Sequence, residues 1–340
     1  MNKILVTGGL GFIGSHTVVE LQNKGYQVVI IDDLSNSSED VLDGITAITG
    51  KKPLFEKLDL KDKAGVESFF AKHNDVKGVI HFAASKAVGE SVQEPLLYYE
   101  NNIGTLVYIL KELKKLPSAA FIFSSSCTVY GQADELPITE NAPVKQAESP
   151  YGNTKQIGEE IIKDTCKVVP TLKAIALRYF NPVGAHETAE IGELPIGVPQ
   201  NLVPFITQTA IGLREELSVF GDDYPTPDGT CIRDYIHVVD LAKAHVVALA
   251  RLLENKNKEN FETFNLGTGT GSSVLEVVKS FEKVSGEKLN YKIVGRREGD
   301  IISAYADTNK ANDELGWKTT LSLDDAMRSA WKWEQKVRGA

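Results

Sequence analysis

The chain predicts an α/β fold, a doubly wound parallel sheet followed by a smaller, loop-rich C-terminal domain, and three observations carry that expectation. Short apolar runs recur through the first half, separated by segments of helical length. A glycine cluster sits where the first run meets the first helical segment. From about residue 181 the texture shifts to Gly, Pro and polar residues. Apolar runs of this length suit strands buried on both faces, and strands alternating with helices close right-handed crossover units.

In chain order, Lys3–Thr7 is the first predicted strand and residues 13–24 the first helix. Residues 27–31, 53–58, 78–82 and 119–123 follow as strands. Ser149-Pro150 opens a helix, because proline lacks the N–H that a first helical turn leaves free anyway. Residues 173–179 make a further strand. Beyond it, residues 202–213 form a short element, and Val238–Leu253 and residues 273–284 carry helical apolar periodicity. The expected division is a sheet domain over 1–180 and a second domain over 181–340, with about 230–265 packing back onto the first.

At 340 residues, 42% hydrophobic and 24% charged, the chain can bury an ample core. Its net charge of −9 argues against a nucleic-acid partner. No apolar run is long enough to span a membrane, so a cytoplasmic location is expected. Cys127, Cys166 and Cys231 are widely spaced and suggest neither a disulfide framework nor a metal site.

Gly8-Gly9-Leu10-Gly11-Phe12-Ile13-Gly14 follows the first strand and opens the first helix. In that context missing side chains let backbone approach a pyrophosphate, whose charge meets the free N–H groups of the helix; this is the Rossmann arrangement. Asp32 ends the second strand, where a carboxylate accepts from an adenosine ribose and repels a 2′-phosphate. Asp33, Leu34, Ser35 and Asn36 supply no arginine to reverse that preference, so the expected cofactor is NAD. Asp32 could equally serve as a turn residue.

Tyr151 and Lys155 lie four apart on the helix after Pro150, hence on one face. Of the eleven tyrosines, only Tyr151 has a lysine four residues on. A cation beside a phenol lowers its pKa, and moving it from about 10 to about 7 needs roughly 4 kcal/mol. The product is a general base for neutral pH. Taken alone, the same spacing also describes a surface pair.

With this pair, the glycine loop and Ser124-Ser125-Ser126 together, the chain resembles the extended short-chain dehydrogenases, and within them the UDP-glucose (UDP-galactose) 4-epimerases. The resemblance runs through essentially the whole chain and is strongest at 6–16, 81–91, 121–131, 149–155, 178–184, 222–238 and 296–300. It implies that bound NAD oxidises the sugar at C4, that the ketone turns over, and that hydride returns to its other face. Tyr151, Lys155 and Ser126 match the catalytic positions, with Thr128 a secondary candidate. Gly8, Gly11, Phe12, Ile13, Gly14, Asp32, Asn36, Asp59, Leu60, Phe82, Ala83, Lys86, Asn101, Ser124 and Tyr179 match positions around the cofactor, together with Tyr151 and Lys155. Asn181, Arg233, Arg297 and Asp300 match positions that grip UDP, where arginine forks suit phosphate oxygens. Lys86, Ser126, Tyr151 and Phe180 face the substrate by the same resemblance, and Asn201, Leu202, Ser218 and Phe220 line the uridine side.

Related dehydratases carry an Asp-Glu pair directly after the serine or threonine. Here Cys127 and Thr128 stand there, so elimination lacks its acid. A nucleotide-sugar-binding protein without chemistry is a further alternative, opposed by the intact Ser126, Tyr151 and Lys155. Ala304 occupies a position that in this family resembles a gate: tyrosine crowds the sugar 2-substituent and a small residue admits an N-acetyl group. The expectation is activity on UDP-N-acetyl sugars too, unless Tyr305 refills the space. Members commonly pair through two helices per subunit, matching residues 96–114 and 151–167 here, so a homodimer is expected.

Overall fold

The apolar runs pair into one seven-stranded parallel sheet. Its strands are β1 (Lys3–Thr7), β2 (Gln27–Asp32), β3 (Leu54–Lys57), β4 (Val76–His81), β5 (Ala119–Ser126), β6 (Leu172–Tyr179) and the strand Phe261–Leu266. Across the sheet the order is Phe261–Leu266, β6, β5, β4, β1, β2, β3. The chain moves outward from β1 to β3, then returns to place β4 on the other side of β1. That reversal opens a crevice beyond the carboxyl ends of β1 and β4, where this class of sheet binds ligands. The computed structural model describes residues 2–297 and 300–339; Glu298 and Gly299, within the 296–300 stretch, lie outside the described residues.

Both faces of the sheet are covered, which is why its strands read as unbroken apolar runs. Ile4, Val6, Ile30, Ile80, Ile122 and Ile175 pack with Val18, Val19 and Leu21 of the helix Phe12–Asn23, and with Leu241, Leu249 and Leu252 of Val238–Leu253. Alternate residues Leu5, Val29, Val79 and Phe121 face Phe69, Ile109 and Ile162 on the opposite side. A separate core joins Val203, Ile206, Phe281 and Met327, from the helices Leu202–Ala210, Val274–Ser285 and Leu323–Arg338.

Residues 96–114 do not form one continuous α-helix. The segment is Pro95–Tyr98, a π turn over Tyr99–Gly104, and Thr105–Leu113. Such turns often mark functional positions, and this one aims Asn102 at Ser85 N, which donates to Asn102 Oδ1 at 2.8 Å. The helix Leu323–Arg338 is an addition to the sequence reading, although Leu323, Ala326, Met327 and Ala330 keep helical spacing. Its signal was the capping box of Ser322 and Asp325.

The edge strand Phe261–Leu266 is tied to the helix Val238–Leu253 by a buried fork, with Arg251 Nε and Nη2 each donating to Glu262 at 2.8 Å. Replacing Arg251 by methionine strands the buried carboxylate. We expect a loss of about 3–5 kcal/mol, read as a lower urea-unfolding midpoint.

Candidate active site

Gly8 ends β1 with φ at +67°, a conformation that L side chains rarely adopt. A Cβ there would sit 2.8 Å from Ala83 N, so the loop presses against the end of β4. A Cβ on Gly14 would sit 2.2 Å from Gly8 O, inside contact distance of rigid backbone. Gly11 caps the helix Phe12–Asn23 without any side-chain hydrogen bond, leaving the N–H groups of the first turn available. A bare helix start, reached by backbone that tolerates no side chain, fits the pyrophosphate of a dinucleotide. Gly14→Ala is expected to displace this turn, so that the purified protein loses cofactor absorbance and melts at lower temperature.

Asp32 Oδ2 accepts from Leu10 N at 3.0 Å, while Oδ1 accepts from Leu34 N at 3.0 Å and Ser37 Oγ at 2.7 Å. It braces the glycine loop as a turn residue does, and its remaining lone pairs can still accept from ribose hydroxyls. Asn36 is exposed, and Ser37 rather than Asn36 reaches Asp32. Asp59 accepts from Lys61 N at 2.9 Å beside buried Leu60. The Phe82 ring packs on His245 at 4.7 Å, Ala83 N donates to Thr7 Oγ1 at 3.4 Å, and Asn101 Nδ2 donates to Ser85 Oγ at 3.0 Å. Phe82, Ala83 and Thr7 thus meet at the switch point; Asn101 joins them through the loop after β4.

The last serines of β5 alternate in direction. The Ser124 hydroxyl pairs with that of Tyr179 on β6, Ser125 turns to the other face, and Ser126 lies close enough to the Tyr151 phenol to lower its pKa. The strand stops at Ser126, whose Oγ accepts from Thr128 N at 3.2 Å and caps a 3₁₀ turn over Cys127–Tyr130. Thr128 is therefore beyond the strand, and its Oγ1 is buried without a hydrogen-bond partner among the described residues. Ser149 caps the helix Pro150–Val168, accepting from Gly152 N at 3.2 Å. Lys155, one turn in, is buried; its Nζ donates to Ser124 O at 2.8 Å and lies 5.7 Å from the Tyr151 ring centroid.

The expected lowering of the Tyr151 pKa does not hold for the chain by itself. Burial pushes the phenol well above its ordinary value, the neighbouring Tyr179 adds to that, and the Ser126 hydrogen bond offsets it only in part. Lys155 spends its ammonium on the Ser124 carbonyl, and burial lowers its own pKa to about 8, against a raising influence from Glu159. Desolvation outweighs the single cation. Burial also pushes the Cys127 thiol up to about 11, so it is no acid for elimination at neutral pH.

The facing wall comes from the second half of the chain. Arg233 Nη2 and Arg297 Nη2 both donate to Asp300 Oδ1, at 3.2 and 2.7 Å, and the Arg297 guanidinium lies 5.8 Å from the Phe220 ring centroid. Asp300 thus braces both arginines. Its second oxygen takes part in neither hydrogen bond. Ser218 and the 40% exposed Phe220 share the strand Leu217–Phe220. Asn181 is exposed, its N–H donating to Asp234 O at 2.9 Å.

Ala304 is 8% exposed and pairs in register with Arg233. It belongs to an apolar cluster with Phe180, Val129 and Ala306, against which Cys127 also packs. Tyr305 instead lies against Gly271, whose Cβ would be 3.2 Å from Tyr305 Cδ1. It does not refill the space at Ala304.

One residue was missed. Glu193 accepts from Asn201 Nδ2 at 2.6 Å, beside the start of the helix that Leu202 opens, and lies 3.9 Å from Lys86 Nζ. Burial raises its pKa. It stands in a loop with no motif, so nothing local marks it. Among the described residues no cluster of His, Cys, Asp and Glu could hold a metal ion, and no helix is long and apolar enough to cross a membrane.

Comparison with known proteins places these features in company. A family model described as GDP-mannose 4,6 dehydratase matches residues 5–330. The chain is 50% identical over 331 residues to the UDP-glucose 4-epimerase of Bacillus subtilis, covering 97% of this chain and 96% of that one. Its structure is similar to that of the UDP-glucose 4-epimerase of Stenotrophomonas maltophila with bound NAD and formylated UDP-arabinopyranose, with a TM-score of 0.95, 46% identity and full coverage of both chains. It is also similar to the UDP-Glc/GlcNAc 4-epimerase of Campylobacter jejuni, with a TM-score of 0.85 and 35% identity over 99% of this chain and 100% of that one.

Proposed function

The chain belongs to the UDP-glucose 4-epimerase family, and on that premise we propose that it interconverts UDP-galactose and UDP-glucose with NAD, and the corresponding UDP-N-acetyl sugars as well. The observation that carries this reading is the convergence of Ser126, Tyr151 and Lys155 beside the glycine loop, facing the paired arginines.

NAD, when bound, supplies the hydride acceptor and a cationic nicotinamide ring. The glycine loop and the uncapped first turn of Phe12–Asn23 would hold its pyrophosphate, and Asp32 its adenosine ribose. Arg233 and Arg297, both held on Asp300, offer guanidinium donors to the UDP diphosphate. Tyr151 takes the 4-hydroxyl proton as C4 is oxidised and returns it when C4 is reduced from the other face. Ser126 donates to the sugar oxygen and steadies it as a carbonyl. Lys155, anchored on Ser124 O, keeps a positive charge one turn from the phenol.

The small side chain of Ala304 supports the N-acetyl activity, and Tyr305 lies against Gly271 instead. Assaying purified protein on both substrate pairs tests it: turnover of UDP-galactose alone limits the enzyme to the simple hexoses. A binding protein without chemistry is opposed by the intact triad, and turnover without added cofactor disposes of it.

The second core beyond residue 180 supports the two-domain division. A homodimer is supported by exposed Val88, Val92 and the 81% exposed Leu96 on the segment that packs against Pro150–Val168. Light scattering is expected to give twice the 37.2 kDa chain mass, and Leu96→Glu to halve it.

A further inference from the structure

Behind the crevice lies a buried polar chain that the proton transfer does not use. Glu159, one helical turn past Lys155, accepts from Ser125 Oγ at 2.5 Å and from Arg178 Nε and Nη2 at 2.9 and 2.5 Å. Arg178 Nη1 donates to Tyr130 Oη at 2.9 Å, and Tyr130 Oη donates to Asn265 Oδ1 at 2.6 Å. Both charged side chains are more than nine-tenths buried. Stability alone explains such a pair poorly, because apolar residues of similar volume usually do as well.

Its position explains more. Ser125 stands between Ser124, whose carbonyl receives Lys155 Nζ, and Ser126. Glu159 lies on the same helix face as Lys155. The groups facing Lys155 from its neighbours are otherwise neutral. They are Tyr151 on its own helix, Phe123 and the Ser124 carbonyl on β5, and His81 on β4 with its pKa pushed down to about 3. Arg178 is paired with Glu159, and of the two it is Glu159 whose charge acts on Lys155.

We propose that Glu159 is the positioning residue of the catalytic pair. Its carboxylate, clamped by Arg178 and Ser125, keeps the Lys155 ammonium charged and aimed at the Ser124 carbonyl in a site otherwise too dry for a lone cation. The inference rests on Tyr151 and Lys155 being the working pair.

The test is an NMR titration of protein carrying 15Nζ-labelled lysine, with the Lys155 resonance assigned by its loss in Lys155→Met. In Glu159→Gln the titration midpoint is expected to fall by about one pH unit, the lower end of what a neighbouring opposite charge supports. The alkaline limb of kcat should fall with it. Glu159→Asp, which keeps the charge, should hold both near their wild-type positions. Should Glu159→Gln fail to fold with Arg178 left unpaired, Glu159→Gln with Arg178→Gln removes both charges and is read the same way. An unmoved midpoint overturns the role of Glu159 and leaves the pair merely structural. An active Tyr151→Phe enzyme overturns the assigned base instead, without touching the Lys155 titration, so the two failures are separable.

Discussion

Tyr151→Phe is expected to lower kcat for UDP-galactose by about 10³-fold, within the range a positioned proton-transfer group contributes. That corresponds to about 4 kcal/mol of lost transition-state stabilisation. Phenylalanine keeps the ring in its buried seat, so packing and cofactor retention should survive. The pH profile gives the expectation a sign. The base must be unprotonated, so wild-type turnover should rise with pH on its acid side, then fall as Lys155, with its pKa near 8, loses its charge. The variant should lose the acid limb along with most of its rate. Burial raises the phenol's pKa in the chain alone, so the acid limb should lie at lower pH for the cofactor-loaded enzyme than for free Tyr151 titrated spectroscopically. Retention of a tenth or more of wild-type kcat in the phenylalanine variant would move the role of base elsewhere.

Ala304→Tyr should separate the two substrate pairs. The wild type is expected to turn over both, and the variant to lose about two orders of magnitude in kcat/KM on the N-acetyl sugars while staying within several-fold on UDP-galactose. A pocket that merely loses room for a small group discriminates by about 10- to 200-fold. The tyrosine ring would fill the wall that Ala304 shares with Phe180 and Val129. Because Ala304 pairs in register with Arg233, the larger side chain could also disturb the diphosphate grip. That outcome would lower both activities together, and Ala304→Val, a smaller step, would then show a graded loss on both. A wild type inactive on the N-acetyl pair refutes the gate directly.

Much of the fold was legible because its determinants are local or periodic. The strands of the sheet read as apolar runs because both faces are covered. Gly8 and Gly14 announced a turn without side chains, and Pro150 the start of a helix. The strand Phe261–Leu266 was harder. Its sequence carries Glu262 and Asn265, polar residues that a buried strand tolerates because Arg251, from the helix just before it, and Tyr130, far back in the chain, satisfy them. The π turn at Tyr99–Gly104 left no periodic trace either.

The site divides along the same line. Residue types and spacing determined by themselves that a glycine-lined helix start would face Asp32, that Tyr151 and Lys155 would share a helix face, and that no acid would follow Ser126. Those facts depend on backbone geometry over a few residues. Only the tertiary structure decided that Asp300 serves two arginines, that Glu193 stands between Lys86 and Asn201, and that Tyr305 lies against Gly271. It also reversed the direction of the Tyr151 pKa. A pKa in a dry crevice is set by how much water the surrounding elements exclude and where the nearest charge points, and both are properties of packing between residues far apart in the chain.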